Sequence, residues 1–447
     1  MGYKADVLIL GGGISGLALA ERLKDSGLSS LVLEKDGAHG GLSRTAKTGD
    51  FLFDLGGHRL YFSKPEVKAW TEKLLKGRTL RRPKRSSAIF TGGRLLKYPP
   101  TFLNGLRYAL PVLFSNGRRP GTQRPPDTLK DWLETRLGAR VHDRYFRDYT
   151  RKVWGLGTDE MSPLWAERRI GGGFNIRSIL VELLGGRLSS KENAGSFLYP
   201  EKGIGELPEA LRETAGAAMT LRTGAEPLEL TFRDGRPAGL TFKLGGETHT
   251  AHFRFLVSTI PLASLLGLFP LAGNRRADGI KYRSLVVLFA ALRRRGRLAQ
   301  HWLYFPDGDA AFSRACELAN WSPLMAPGDW LPMTFEFFCD KGDSVWNMDK
   351  EALTALAFAS PALKKLAGHF EAGAAAVERL PHAYPLLYAG SETPLARARA
   401  SLSVFPNLLL CGRTGTHAYM DTEECLIDAW AAAESAKKFL HENPVRP

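Results

Sequence analysis

The sequence has little cysteine and no long apolar run. Its four cysteines form neither a Cys-x-x-Cys pair nor the spacing of a metal site. This predicts free thiols in a reducing compartment and no metal centre. No apolar run approaches the roughly 20 residues that span a bilayer, and the first predicted strand begins too soon after Met1 to leave room for a signal peptide. These absences predict a cytoplasmic protein.

Acidic residues are missing from one long stretch, 76–124, where twelve lysines and arginines stand without a single Asp or Glu. The formal net charge is +15. Such a block predicts attraction of an anionic small-molecule substrate or peripheral contact with an anionic membrane surface. A solvated basic face is the alternative. No recognition-helix, zinc-ligand or stacking motif accompanies the block, so nucleic acid is not an expected partner. The sequence indicates no oligomeric state.

A glycine-rich turn near the N-terminus is the most informative feature that is present. Gly11, Gly13 and Gly16 follow an apolar strand in G-x-G-x-x-G spacing. This spacing lets the backbone turn tightly and sets a pyrophosphate at the N-terminus of the next helix, beside Ser15. Glu34 ends the following strand, predicted over 31–34, where it can accept ribose hydroxyls. The spacing alone is a weak signal, because glycine turns also occur for steric reasons.

A second glycine pair, Gly40 and Gly41, is followed by Leu42, Ser43, Arg44 and Thr45. With the first motif, this run resembles the FAD-binding signature of the amine oxidase and UDP-galactopyranose mutase superfamily. Folds that bind only NAD lack the extension. The resemblance implies non-covalent FAD, held in this part of the chain by Lys35, Gly41, Leu42, Ser43 and Arg44.

The resemblance implies an α/β fold whose Rossmann-like FAD-binding domain is of the glutathione-reductase type. That domain is predicted from the discontinuous segments 1–75, 193–270 and 400–447. A mainly helical substrate or cap domain is predicted over 76–192, and a β-sheet substrate domain over 271–399. Within them we expect a crossover helix at 14–25, a helix capped by Asp127, alternating strands over 219–260, and a helix from Lys350 to about Phe358.

Further motifs extend the resemblance along nearly the whole chain. A Gly-Gly-His run ends at His58 and suits close approach to a flavin ring. Later motifs similar to those of the mutases are Tyr-Thr-Arg-Lys-Val-Trp-Gly at 149–155, Tyr-Arg-Ser-Leu at 282–285, Phe-Ser-Arg-Ala-Cys-Glu at 312–317, His-Ala-Tyr-Pro at 382–385, and a Gly-Arg run at 412–413 followed by Tyr-Met-Asp at 419–421.

The resemblance implies roles for particular residues in these motifs. Arg413 is expected to reach the FAD pyrophosphate, since its planar fork pairs well with phosphate oxygens. The last helix, from about Asp421 to Leu440, has acids first and lysines last, as the helix dipole favours. Implied catalytic or substrate-clamping residues are His58, Arg283, Arg314, Tyr384 and Tyr419. Implied flavin contacts here are Gly57, His58, Gly412, Arg413, Tyr419 and Asp421.

Two enzyme classes follow from the resemblance. The first is mutase-like ring isomerisation of a nucleotide or phosphate-linked sugar, in which reduced FAD forms an adduct through its N5 atom. The alternative is an FAD-dependent oxidase, dehydrogenase or desaturase, similar to protoporphyrinogen oxidases or amine oxidases, acting on an anionic or amphiphilic substrate. A non-catalytic FAD-binding scaffold is a third hypothesis. Three departures from the mutases bear on the choice: Val153 replaces Gln, while His417 and Glu423 replace Tyr and Asp. Their mobile arginine loop is not recognisable in 169–205.

Overall fold

A computed structural model describes residues 2–98, 126–169, 195–270, 277–293 and 298–444. The basic block is thus described only over 76–98, and most of 169–205, where a mobile loop was sought, lies outside the described residues. The helices are α1 (Ile14–Leu23), α2 (Pro65–Leu74), α3 (Leu129–Leu137), α4 (Ala139–Tyr145), α5 (Arg147–Trp154), α6 (Leu164–Arg169), α7 (Glu206–Ala215), α8 (Leu262–Leu266), α9 (Ser344–Asn347), α10 (Lys350–Ala359), α11 (Pro361–Ala367), α12 (Glu392–Ser403), α13 (Gly412–Gly415) and α14 (Thr422–Glu442).

The strands are β1 (Gly2–Leu10), β2 (Ser30–Leu33), β3 (Thr45–Thr48), β4 (Phe51–Asp54), β5 (Leu80–Arg81), β6 (Ser87–Thr91), β7 (Arg94–Tyr98), β8 (Tyr199–Pro200), β9 (Met219–Arg222), β10 (Glu226–Arg233), β11 (Arg236–Leu244), β12 (Glu247–Ser258), β13 (Tyr282–Arg293), β14 (Trp302–Tyr304), β15 (Arg314–Glu317), β16 (Trp330–Cys339), β17 (Glu371–Pro385) and β18 (Leu408–Leu410).

The first sheet has the order β10-β11-β12-β1-β2-β9, and β18 pairs in parallel with the end of β12. Strands β12, β1, β2 and β9 are parallel neighbours. The last four residues of β1 are all buried, as expected for a central parallel strand covered on both faces. Helices α1, α7 and α14 cover one face, and α8 and α12 cover the other. The sheet therefore joins distant stretches of the chain, which is the α/β flavoprotein fold that the sequence predicted.

The second sheet has the order β17-β13-β16-β15-β14-β6-β7. Its central strand β13 shows the two-residue period of a sheet buried on both sides. Leu285, Val287 and Phe289 face a core that includes helices α3 to α6. Val286 and Leu288 face a second core with α10 and α11. Strands β15, β16 and β17 of this separate sheet carry side chains of the candidate functional site.

Some local predictions differ from the structure. The stretch 76–192 was predicted to be mainly helical, yet β6 and β7 form a hairpin that joins the second sheet through β14. Gly92 and Gly93 form its turn, both with positive φ, which suits a two-residue hairpin connection. Helix α3 is capped by Thr128 instead of Asp127, because Thr128 and Asp131 form a reciprocal capping box.

Other boundaries lie close to their predictions. The crossover helix ends at Leu23, the second strand spans Ser30–Leu33, and α10 reaches Ala359. All four cysteines are buried free thiols. Among the described residues, no helix has both the length and the apolar character needed to cross a membrane.

Candidate functional site

The glycine turn between β1 and α1 is built by steric necessity. Gly11 has a φ of +101°, a conformation that L side chains rarely adopt. A Cβ on Gly16 would lie 2.0 Å from the Gly11 carbonyl oxygen, so α1 can start against the turn only with glycine there. Gly13 is the N-cap of α1, and Ser15 is buried in its first turn. The helix N-terminus is therefore open to an anion through its backbone N–H groups.

The distal glycine pair packs directly on this turn. The Gly40 N–H donates to the Gly12 carbonyl at 2.8 Å, and Gly13 and Gly40 form a parallel bridge. A Cβ on Gly41 would lie 3.2 Å from the Gly13 Cα. Leu42 is half-buried and Ser43 is buried. The structure thus brings the two predicted glycine motifs into backbone contact.

Gly412 completes the arrangement from the far end of the chain. It follows β18 with a φ of +74°, and its N–H donates to Asp428 Oδ2 at 2.6 Å. A Cβ here would lie 2.5 Å from Ser15 Oγ. The Gly412–Arg413 segment therefore lies against the first turn of α1.

Glu34 lies against the same glycine turn. Its Oε2 accepts the Gly12 N–H at 2.7 Å, and its Oε1 accepts the Asp36 N–H at 2.8 Å. Burial raises the pKa of the Glu34 carboxyl, although these two backbone donors oppose the rise. Each carboxylate oxygen retains a further lone pair for an outside donor. The side chain can therefore both shape the turn and accept a hydroxyl.

Lys35, a predicted cofactor contact, has a side chain that is 67% exposed and pairs with Glu226 at 2.6 Å on the surface. Arg44 remains beside the distal glycines, where its Nη2 donates to Glu378 Oε2 at 3.1 Å. Lys35 and Arg44, which lie between β2 and β3, therefore point to different environments, and the motif alone does not reveal this.

Arg413 is the least satisfied polar side chain near this centre. Its Nε and Nη2 are buried and have no hydrogen-bond partner among the described residues. The guanidinium carbon lies 4.2 Å from the Tyr384 ring centroid and 4.8 Å from that of Tyr419. Ring contacts of this kind hold the cation in place, but they leave its N–H groups without acceptors. Buried donors of this kind indicate a missing acceptor.

The Gly56–His58 turn faces Arg413. Gly56 has a φ of +96°, and a Cβ on Gly57 would lie 2.8 Å from the Trp302 ring. His58 Nδ1 donates to the Gly56 carbonyl at 3.1 Å, which leaves Nε2 as an acceptor. Burial, with the charge of Arg413, lowers the pKa of His58 to about 4. The imidazole is therefore neutral at physiological pH.

Arg314 is the centre of a buried polar cluster on the second sheet. Its Nε donates to the Tyr149 hydroxyl at 3.2 Å, and its Nη1 donates to Glu336 at 3.3 Å and to the Tyr384 hydroxyl at 3.2 Å. Glu336 also accepts a hydrogen bond from the Gly57 backbone. Burial raises the pKa of Glu336, and the charge of Arg314 opposes that rise. The cluster thus connects the predicted substrate arginine to the turn that carries His58.

Tyr384 and Tyr419 form a stacked pair, with ring centroids 6.1 Å apart and planes inclined by 21°. Trp154 packs edge-on against Tyr384 with centroids 5.6 Å apart. The sequence placed the two tyrosines in one site from separate motifs, and the structure brings them together with Arg314 and Arg413. The result is an aromatic wall that carries two guanidinium groups.

Arg283, which was predicted to clamp a substrate, does not join this wall, and its side chain donates to groups within the protein. Its Nε donates to the Val153 carbonyl at 2.9 Å, and its Nη1 donates to Asp340 Oδ1 at 2.6 Å. Its Nη2 donates to the Phe338 carbonyl at 3.3 Å. The residue is only 6% exposed. Arg283 therefore joins the end of α5 to the second sheet as a structural residue.

We expect Arg283→Met to destabilise the fold, since two buried carbonyls would lose their donor at about 1–3 kcal/mol each. Urea unfolding should show the loss as a lower midpoint, with flavin content per folded molecule unchanged. Arg293→Met is the matched control, because Arg293 is exposed at the other end of β13. If Arg283→Met leaves the stability unchanged and weakens substrate binding, Arg283 belongs to the substrate clamp.

Asp421 and Glu423 have clear structural partners. Asp421, a predicted flavin contact, is the N-cap of α14 and accepts the Glu424 N–H at 2.9 Å. Glu423 is 1% exposed and accepts the backbone N–H groups of Ser63 and Lys64, both at 2.8 Å. It therefore holds the start of α2, which gives this departure from the mutase motif a structural reason.

Comparison with known proteins decides the family. The profile of the flavin-containing amine oxidoreductase family matches residues 14–436, nearly the whole chain. The chain belongs to this family. Because the family is flavin-containing, the cofactor is FAD and the protein is an FAD-dependent flavoenzyme.

Individual members match over short segments. Amine oxidase B of Cavia porcellus is 48% identical over 58 residues, which covers 13% of this chain and 11% of that protein. Protoporphyrinogen oxidase 2 of Arabidopsis thaliana is 37% identical over 68 residues, which covers 15% of this chain and 13% of that protein. These matches span far less than two thirds of the relatives' length.

Several solved structures share the whole fold. Reduced UDP-galactopyranose mutase has a TM-score of 0.79 at 21% identity, covering 97% of this chain and 94% of its own. An Exiguobacterium protein assigned as a protoporphyrinogen oxidase has a TM-score of 0.73 at 19% identity, covering 98% and 99%. Putrescine oxidase bound to putrescine has a TM-score of 0.64 at 16% identity, covering 97% and 99%. At these identities the likeness is one of fold.

The residues present fit FAD. Three glycine segments meet where no side chain could be accommodated, and the first turn of α1 supplies backbone donors for a pyrophosphate. Glu34 offers lone pairs to a ribose, and Arg413 has buried donors that lack an acceptor. Residues that the sequence did not single out support this set: Asp54, Glu336 and Asp428. Each is a lone carboxylate within an apolar run or helix, so no motif marks it.

We expect denaturation to release FAD with an unmodified spectrum, since no attachment motif is present. Glu34→Gln should weaken FAD binding by about tenfold to a hundredfold, because a charged acceptor contributes about 1.5–3 kcal/mol. Fluorescence titration of the apoprotein measures this. Lys35→Met is the neighbouring control and should leave binding unchanged. Flavin that stays with the precipitated chain, or equal loss in both variants, would contradict the assignment.

Proposed function

We propose that the protein is an FAD-dependent oxidoreductase acting on an amphiphilic substrate with an apolar body and an anionic end. The observation that carries this choice is the engagement of Arg283. A glycosyl diphosphate needs several free donors on its phosphates, and Arg283 donates from three of its nitrogens to groups within the protein. The mutase hypothesis needs both Arg283 and Arg314 to bind the phosphates, and only Arg314 is then left for this role.

The aromatic wall supports the apolar part of this substrate. Tyr384 packs on Tyr419 and Trp154, and Tyr149 packs on Tyr304. Such rings bury substrate surface and exclude water. Arg314 places positive charge at the edge of this wall, where an anionic end would bind. The exposed basic residues Lys84, Arg94 and Lys97 would steer an anionic substrate, or an anionic membrane carrying it, toward the protein.

FAD, when bound, would supply the redox chemistry as the hydride acceptor. The protein's own contribution is orientation and a dry environment. His58 stays neutral, because burial and Arg413 lower its pKa, and its free Nε2 can accept a hydrogen bond from a substrate hydroxyl or amine. Arg314, held by Glu336 and Tyr149, would fix the anionic end at a set distance from His58. A cytoplasmic location stays a prediction with this function.

The mutase reaction is the second candidate, and a specific observation favours it. Arg314, Tyr384 and Tyr419, three members of the predicted substrate set, do lie in one cluster. Arginine and tyrosine donors suit phosphate oxygens without acting as bases. The likeness in fold to reduced UDP-galactopyranose mutase accords with this candidate but carries no substrate assignment.

One pair of measurements separates the candidates. Oxidised holoenzyme is mixed anaerobically with a panel of anionic amphiphiles and a panel of nucleotide sugars, and flavin absorbance is followed. We expect bleaching by a member of the first panel and reoxidation by oxygen or a quinone. Dithionite-reduced enzyme is then given the nucleotide sugars under anaerobic conditions. Ring-form exchange over many turnovers without net redox change would overturn the oxidoreductase proposal in favour of the mutase.

A further inference from the structure

Asp54 is a fully buried carboxylate, 0% exposed, at the end of β4. It is neither a predicted site residue nor a member of the Arg314 cluster. We propose that Asp54 is a positioning residue for FAD, which fixes the strand leaving the distal glycine pair, the turn carrying His58 and the loop before α7 as one unit. The proposal concerns cofactor binding and is independent of which reaction the bound flavin performs.

Three donors converge on this carboxylate. Thr45 Oγ1 donates to Asp54 Oδ1 at 2.6 Å, and the Tyr199 hydroxyl donates to Oδ2 at 2.6 Å. The Ile204 N–H donates to Oδ1 at 3.2 Å. Thr45 Oγ1 in turn accepts the Gly205 N–H at 2.8 Å. A single side chain therefore joins β3, β8 and the loop that begins α7.

Two of the joined segments, β3 and the loop before α7, border the predicted flavin site, and so does the turn that follows Asp54. Thr45 directly follows Arg44 and lies opposite Asp54 in the β3–β4 pair. Two residues beyond Asp54, Gly56 begins the turn that holds His58. Helix α7 packs on the distal glycines, since a Cβ on Gly40 would lie 3.2 Å from the Pro208 ring. A change at Asp54 would therefore shift two segments that are predicted to contact the flavin: the distal glycine pair and the turn that carries His58.

The loop is fitted closely to the carboxylate. A Cβ on Gly203 would lie 2.4 Å from Thr45 Oγ1 and 2.9 Å from Asp54 Oδ1. A Cβ on Gly205 would lie 2.7 Å from the Thr45 nitrogen. Gly203 also has a φ of +98°, which favours glycine. Such close approach at two glycines shows that the loop backbone is shaped around this pair of side chains.

The charge state of Asp54 matches its donors. Burial raises the pKa of its carboxyl to about 6, against the opposing effect of the three donors. Near pH 8 the group is thus an acceptor-only carboxylate, as two hydroxyls and one N–H require. Asparagine has the same shape but one acceptor oxygen, so its amide would leave one buried hydroxyl without an acceptor.

The test compares Asp54→Asn with Asp50→Asn, a control in the exposed turn of the same hairpin. FAD is removed and the dissociation constant of the apoprotein for FAD is measured at pH 8 by fluorescence titration. We expect Asp54→Asn to raise the constant at least tenfold and Asp50→Asn to leave it within twofold. The visible circular dichroism of the variant saturated with FAD should also change, because the flavin would be held in an altered position.

A second pair separates positioning from general instability. Thr45→Ser keeps the hydroxyl and Thr45→Val removes it at similar size. We expect the serine variant to bind FAD like the wild type and the valine variant to bind several-fold more weakly. Urea unfolding of the two apoproteins gives the stability that the hydroxyl contributes, so that FAD affinity is compared where both variants are fully folded. The pair also carries the test if Asp54→Asn does not fold. FAD affinity within twofold of wild type in Thr45→Val, or in a folded Asp54→Asn, would overturn the proposal.

Discussion

Arg413→Met should lower the affinity for FAD by roughly a hundredfold and leave the apoprotein as stable as the wild type or slightly more so. The loss follows from two charge-assisted hydrogen bonds that Nε and Nη2 would make to the cofactor, at about 1.5–3 kcal/mol each. A net loss of about 2.8 kcal/mol corresponds to a hundredfold change in the dissociation constant.

The expected effect on the stability of the apoprotein has the opposite sign, and it comes from the same two nitrogens of Arg413. Among the described residues these nitrogens have no hydrogen-bond acceptor, and burying a charged group without acceptors costs free energy. Only the contacts with the Tyr384 and Tyr419 rings offset that cost. Methionine retains much of the ring contact without burying a charge, so removing the guanidinium relieves the apoprotein while it weakens the holoprotein.

Fluorescence titration with FAD and urea unfolding of the apoprotein measure the two effects separately. Arg397→Met is the control, because Arg397 is an exposed arginine on α12 and should change neither quantity. If FAD affinity stays near that of the wild type while substrate-driven bleaching is lost, Arg413 contacts the substrate and not the pyrophosphate.

The glycine turn between β1 and α1 was predictable from sequence because its requirements are local. Gly11 has a positive φ, and a Cβ on Gly16 would clash with the Gly11 carbonyl five residues earlier. The fold class follows for a similar reason, since an apolar strand, a glycine turn and a helix in that order leave few arrangements. The strand, the turn and the helix each depend on residues that are consecutive in the sequence.

The substrate side was less predictable because its partners are distant in the sequence. Arg283 and Arg314 both stand in mutase-like strands, yet one is engaged by Val153 and Asp340 and the other by Tyr149 and Glu336. Nothing in either strand distinguishes them. The difference arises from which helix end or neighbouring strand packs on each arginine, and that is a property of the tertiary structure.

A similar limit explains the helix and strand errors. The hairpin of β6 and β7 lies in a stretch rich in Arg, Lys and Pro, where the alternation of buried residues is short. Pairing of β6 with β14 buries Ala88 and Phe90.

Glu423 was predicted to be a change near the flavin. Its contacts with Ser63 and Lys64 come instead from a segment about 360 residues away in the sequence.

Arg314→Met should destabilise the protein by about 3–5 kcal/mol, the usual effect of removing one partner from a buried ion pair. The Glu336 side chain is only 3% exposed, against 16% for Arg314. Without the guanidinium, the carboxylate would keep the Gly57 backbone donor alone. Its charge would then be buried with little compensation.

The double variant Arg314→Met/Glu336→Gln should recover much of this loss, because the buried charge is removed together with its partner. Urea unfolding of the wild type, both single variants and the double variant gives the coupling free energy directly. Additive effects, with no recovery in the double variant, would mean that Arg314 acts through its tyrosine contacts and not through Glu336.

The pH dependence gives an independent check with a defined sign. Burial raises the pKa of Glu336 in the folded protein, and the charge of Arg314 limits the rise. Removing Arg314 should raise that pKa further. Because the folded state then binds a proton that the unfolded state has released, stability falls as pH rises from the unfolded pKa to the folded one. The destabilisation by Arg314→Met should therefore be smaller at pH 5 than at pH 8, and Glu336→Gln should abolish this difference. A pH-independent loss would show that Glu336 is not the group left uncompensated.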